Sequence, residues 1–132
     1  MTTILITLVL IGIFVLTFVS LSSRKSQQVD KQSYRNSWEK LQQYMLDQST
    51  YARAVTDADK LLDRALKDLK YTGKTTAQRL VSAKKMFSKK DHVWMAHKMS
   101  DRVVNENLEV TKKQAQAALS AFHKGLVDLD VV

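Results

Sequence analysis

Eighteen residues near the N-terminus, Ile4–Leu21 (ILITLVLIGIFVLTFVSL), carry no charge at all. A helix of that length spans roughly 27 Å at ~1.5 Å per residue, enough for the hydrocarbon core of a bilayer. Thr7, Thr17 and Ser20 are tolerable there, because their hydroxyls bond back to helix carbonyls. A cleaved signal peptide would want a basic n-region and a shorter apolar run, and nothing basic precedes Ile4. A buried helix of a globular core is the other reading, but so uniform a run has no polar side to turn to water. Gly12 stands without a second small residue four positions away and makes no dimerisation motif. The expectation is a retained single-pass anchor. Arg24, Lys25, Lys31 and Arg35 follow it and no cation precedes it, so the positive-inside bias places the remainder of the chain in the cytoplasm.

The other residues point to an all-α fold. The 132-residue chain has no proline and three glycines, too little punctuation for sheets and long loops. The length suits one small domain plus an appendage. Residues 1–23 read as the anchor, 24–33 as a polar juxtamembrane linker and 34–132 as an antiparallel helical bundle of about five segments. With no cysteine, disulfides, thiolate metal sites and cysteine nucleophiles are excluded.

Apolar stripes mark the helices. Tyr34, Trp38, Leu41 and Met45 recur at spacings of four, three and four, and DQST at Asp47–Thr50 interrupts them. Val55, Ala58, Leu62, Ala65 and Leu69 make the second stripe, with Asp59 and Asp63 expected outside it. Gly73 suits a left-handed helix end. Thr75–Gln78 and Thr111–Gln114 both have capping-box spacing. Ala77, Leu80, Ala83 and Phe87 form the next buried stripe, with Arg79, Lys84 and Lys85 expected off it. Asp91 is a candidate cap for a helix through Trp94, Ala96, Met99 and Val103, ending near Asn105–Asn107. Ala115, Ala118, Leu119 and Phe122 line the last helix, with Gly125 expected as its fraying point or cap and LVDLDVV as a last turn or docked tail.

Charge is uneven. The formal net charge is +8, and between Asp68 and Asp91 lie Lys70, Lys74, Arg79, Lys84, Lys85, Lys89 and Lys90 without an acid. Such a run suits an anionic partner, either a lipid headgroup surface or RNA, or else simply keeps a face solvated. Lys84, Lys85, Lys89 and Lys90 are its densest part. Among the charges stand only Tyr71 and Phe87, and Phe87 belongs to the apolar stripe, so no stacking platform is evident, which disfavours RNA.

The segment Trp94–Glu106 (WMAHKMSDRVVNE) is the remaining place where chemistry could sit. Residues four apart on a helix share a face, so His97, Asp101 and Asn105 form one polar row and Arg102 with Glu106 another. The plain reading is a helix-surface hydrogen bond and a surface ion pair worth ~0.3 kcal/mol. His92, His97 and His123 lack ligand spacing for a metal, and nothing resembles a nucleophile elbow.

Ala54–Leu80 (AVTDADKLLDRALKDLKYTGKTTAQRL) followed by Val93–Glu106 (VWMAHKMSDRVVNE) resembles the small helical HEPN-type domains of bacteria. The shared pattern runs ADKxLDxAL, then GxT, then Trp-x-Ala-His-Lys, then a block that reads Arg-Asn-Arg-Ile-Ala-His-Glu in the family. The likeness covers about Ser37 to Leu126. It implies a helical bundle, commonly dimeric, and in active members a metal-independent RNase whose Arg-x4-His pair works across a dimer cleft. Aligned on that block, the leading Arg falls on Ser100 and the Asn on Asp101, while Arg102 is kept. The His falls on Asn105, and Glu106 is kept. Ser100 has no permanent charge to hold a phosphate, and Asn105 does not exchange a proton near neutral pH. His97 lies about 12 Å further back along the helix, too far to substitute. The resemblance therefore implies a catalytically degenerate, cofactor-free HEPN-like domain held at a membrane, acting by binding or assembly. A tethered RNA-binding protein or weak RNase, and an accessory subunit of a membrane complex, are the alternatives.

Overall fold

The computed structural model describes residues 29–132; the expected anchor at 1–23 and the first half of the linker, 24–28, lie outside the described residues. All regular structure among the described residues is helical: α1 (Lys31–Gln42), α2 (Tyr51–Asp68), α3 (Thr76–Ser82), α4 (Lys90–Glu106) and α5 (Lys112–Asp128), with short 3-10 turns at Gln43–Leu46, Gln48–Thr50 and Lys84–Met86. None of these helices is long and apolar enough to cross a membrane.

The first helix begins three residues before Tyr34, inside the stretch read as linker, because Asp30 caps it by accepting from the Ser33 amide. Tyr34, Trp38 and Leu41 are buried as their spacing requires. The interruption at DQST is real: Asp47 accepts from the Ser49 amide and turns the chain into α2.

Helix α2 is the hub. It packs against α1, α3, α4 and α5, and α5 also packs along α4. Its inward arc is wider than one stripe and includes Ala54, Val55, Ala58, Leu61, Leu62, Ala65 and Leu66. Phe122 and Leu126 of α5 and Val93 and Ala96 of α4 close the same core. Each large apolar side chain removed from water there contributes ~1.5–3 kcal/mol.

Four local expectations are corrected. The end of α2 is turned by Lys70, whose φ is 66°, and not by Gly73. Gly73 has φ 152°, and a Cβ there would stand 2.8 Å from the Arg79 backbone nitrogen, so its role is close approach. Thr75 caps α3, but Gln78 reaches the Lys74 amide instead of closing a box; only Thr111–Gln114 forms the full reciprocal pair. Asp91 lies in the first turn of α4, whose cap position is Lys89. Gly125 neither frays nor caps: it is buried inside α5, where Phe87, Leu62 and Val93 crowd its missing Cβ. Beyond α5 the tail docks, with Leu129 and Val131 buried and Asp130 paired to Lys31 at 3.0 Å.

Candidate functional site

Helix α4 carries the segment singled out in the sequence, and its two sides differ in character. Val93, Ala96, His97 and Ser100 face the bundle, while Trp94, Met95, Lys98 and Arg102 face outward. The periodicity of a 3.6-residue helix against α2 and α5 produces this division.

His97 is 4% exposed, and its Nδ1 donates to both carboxylate oxygens of Asp59 on α2, at 3.0 and 3.2 Å. Its Nε2 lies 3.5 Å from Asp101 Oδ2, one turn further along α4. The hydrogen bond to Asp59 raises the imidazole above its ordinary pKa. Burial opposes that rise, and the charges of Asp59 and Asp101 add to it. Asp59 is itself buried, which corrects its expected place outside the α2 stripe. The reading of His97–Asp101 as a helix-surface hydrogen bond is also corrected, since the ring is a buried link between two helices. Distance in sequence hid it: Asp59 and His97 are 38 residues apart. One signal was available, because Asp59 lies four residues after Val55 and so on the inward arc of α2.

The positions aligned with the family's nuclease pair part company. Ser100 is 3% exposed and turned into the core, whereas Asn105 is exposed near the end of α4. Arg102 and Glu106 are exposed and form an i,i+4 pair at 3.1 Å. Asp101 is half-buried and directed to His97. After Glu106 the helix stops at Asn107, which takes the left-handed conformation with φ 52°.

The basic run also divides. Arg79 does not lie off the α3 stripe: it is 8% exposed, and its guanidinium grips the Asp63 carboxylate in two bonds of 2.7 and 3.0 Å and donates to the Gly73 carbonyl at 2.8 Å. Burial pushes the Asp63 carboxyl up, but the hydrogen bonds and charge of Arg79 prevail and hold it below the usual carboxylate range. Lys84, Lys85, Lys89 and Lys90 are all exposed at the turn between α3 and α4, and among the described residues none of them has a salt-bridge partner.

A second cationic surface joins residues that are scattered in sequence. Lys40 and Tyr44, at the end of α1 and just beyond it, and Arg53, Lys60 and Arg64 of α2 line a groove of about 350 Å³. The Arg53 guanidinium stands 4.6 Å from the centre of the Tyr44 ring. Both arginines of the groove have acidic partners: Arg53 is 3.7 Å from Asp57, and Arg64 is 3.8 Å from Asp68. No group of three or more His, Asp or Glu side chains among the described residues is placed to hold a metal ion.

Comparison of the chain with protein-family models, with curated proteins and with solved structures finds no match.

Proposed function

We propose that the chain is a single-pass membrane protein displaying a catalytically degenerate HEPN-like bundle, a binding and assembly module and not an enzyme. The observation that carries this reading is the state of His97. Both of its ring nitrogens are engaged by carboxylates and the ring is enclosed, so it is not offered to a solute. The exposed Arg102–Glu106 pair supports the reading in the same sense, since two partnered side chains on an open helix face make no cleft. The apolar run Ile4–Leu21 supports the tether, and Arg24 and Lys25 support a cytoplasmic bundle. Self-association as a homodimer accords with the resemblance, and service as an accessory subunit of a membrane complex is a separate alternative.

The full chain expressed in cells is expected to resist carbonate extraction from membranes and, purified in neutral detergent, to leave single-stranded RNA intact. Release by carbonate overturns the tether. RNA cleavage that disappears with Arg102→Ala overturns the non-catalytic reading.

Tethered RNA binding is the second reading, favoured by the α1–α2 groove, where Tyr44 and cations stand side by side. The partnering of its arginines by Asp57 and Asp68 weakens that reading. A gel shift with the full chain at low salt that is lost on Lys40→Gln with Lys60→Gln would favour it over the first.

A further inference from the structure

The turn from α3 to α4 combines features that seldom coincide on a purely solvated face. Val81, Met86 and Trp94 are exposed by 54, 48 and 37%. Val81 and Trp94 line a small depression of about 140 Å³ together with Leu80, Phe87 and Val93, and Lys84 and Lys90 stand at the same depression. Lys85 and Lys89 flank it in the chain, and Lys98 places its ammonium 5.0 Å from the centre of the Trp94 ring. Asp91 is the one acid lining the depression.

The corner is also braced from behind. Phe87 is buried against the position of Gly125, and both the amide and the hydroxyl of Ser88 donate to Asp128 of α5, at 2.9 and 2.8 Å. The chain therefore presents its lysines and apolar tips from a fixed backbone, so little ordering accompanies contact.

We propose that this corner is a second membrane contact: it lies on an anionic bilayer surface, with Lys84, Lys85, Lys89 and Lys90 among the headgroups and Val81, Met86 and Trp94 at the acyl boundary. This deepens the membrane-tethered reading and rests on it. Charge complementarity selects the occupant. Four exposed ammonium groups without a salt-bridge partner among the described residues, around an apolar patch, match a surface that is anionic outside and apolar beneath. Tryptophan suits that boundary, having an apolar ring and a single N–H donor. A nucleic acid would satisfy the lysines and leave Val81 and Met86 in water. The tether would place the bundle beside this surface, so contacts too weak to hold a free domain would suffice.

The test uses the full chain reconstituted into vesicles of neutral phosphatidylcholine, with or without phosphatidylserine, both carrying brominated acyl chains that quench indole fluorescence. Trp38 and Trp94 are the two tryptophans of the chain, and Trp38 is buried in the core. The expected result is quenching that appears with phosphatidylserine and disappears with Trp94→Phe. Most of it should also be lost at high salt and on combining Lys84→Gln, Lys85→Gln, Lys89→Gln and Lys90→Gln. Equal quenching in neutral and anionic vesicles, or none in anionic ones, overturns the proposal. An inserted chain whose Trp94 is unquenched sinks the corner and leaves the tether standing. A chain that fails to insert, with Trp94 still quenched on anionic vesicles, does the reverse. Retention of single-stranded RNA through the same four lysines, without quenching, overturns the lipid assignment in favour of nucleic acid.

Discussion

Arg79 and the lysines at 84, 85, 89 and 90 belong to one acid-free stretch of sequence, yet the fold treats them in opposite ways. Arg79 is enclosed and gripped by Asp63 in a planar two-bond fork. The lysines stand at the surface without salt-bridge partners among the described residues. A similar division recurs within α4, where His97 is locked to Asp59 while Trp94, three residues earlier, is partly exposed beside Lys98. Inside the bundle, Asp59 with His97 and Asp63 with Arg79 are partnered and serve the fold. The four corner lysines have no salt-bridge partner among the described residues and are available to something else. Arginine suits the first role because its fork satisfies a carboxylate in fixed geometry, and lysine the second as a mobile point charge.

That contrast breaks most severely if the inside is disturbed. Asp59→Ala should cost ~3 kcal/mol in urea unfolding, because it leaves a buried imidazole without its partner. A cost near zero would show that His97 is not locked by Asp59. The same pair makes stability depend on pH. Since the folded state raises the His97 pKa above its unperturbed 6.5, the linked stabilisation is complete below about pH 6.5 and is lost as pH rises through the raised value. Asp59→Asn should flatten that part of the stability–pH curve, as measured by urea midpoints across the neutral range.

Arg79→Gln should come next, at ~2 kcal/mol, because it strands part of the Asp63 carboxylate at a partly buried site. Arg79→Lys should recover only a fraction, since one ammonium cannot make the fork. Gly73→Ala disturbs the same knot from the backbone side and should cost ~1–2 kcal/mol, combining an unfavourable φ with a 2.8 Å approach to the Arg79 nitrogen. Changing all four corner lysines to glutamine should move stability by less than ~0.5 kcal/mol, because none is buried and none is ion-paired among the described residues. A large loss from that last variant would show that the corner serves the fold, and the division between inside and corner would collapse.

Helix positions were legible in the sequence because they follow from local periodicity. Tyr34, Trp38 and Leu41 on α1, and Ala115, Ala118, Leu119 and Phe122 on α5, are buried as their spacing requires. The reciprocal box at Thr111–Gln114 likewise needs only four residues to specify it. What escaped depends on pairing between helices. Asp59 meets His97 and Asp63 meets Arg79 only after the bundle forms, and a stripe reading that expects carboxylates outside discards both acids. The place of Gly125 is hidden from a single-helix pattern for the same reason: Phe87 and Val93, which crowd it, lie outside α5. The segment Trp94–Glu106 reads in sequence as a row of polar residues at helical spacing. The fold divides that row: His97 faces α2, while Asn105 faces solvent.

Hydrogen exchange of the full chain, compared between neutral and phosphatidylserine-containing bilayers, tests the division most directly. The anionic surface should slow exchange across Val81–Trp94 and leave His97–Ser100 unchanged, since His97 and Ser100 already sit in the core. Equal exchange of Val81–Trp94 in the two bilayers, or slowing concentrated at Arg102–Glu106 instead, would contradict it.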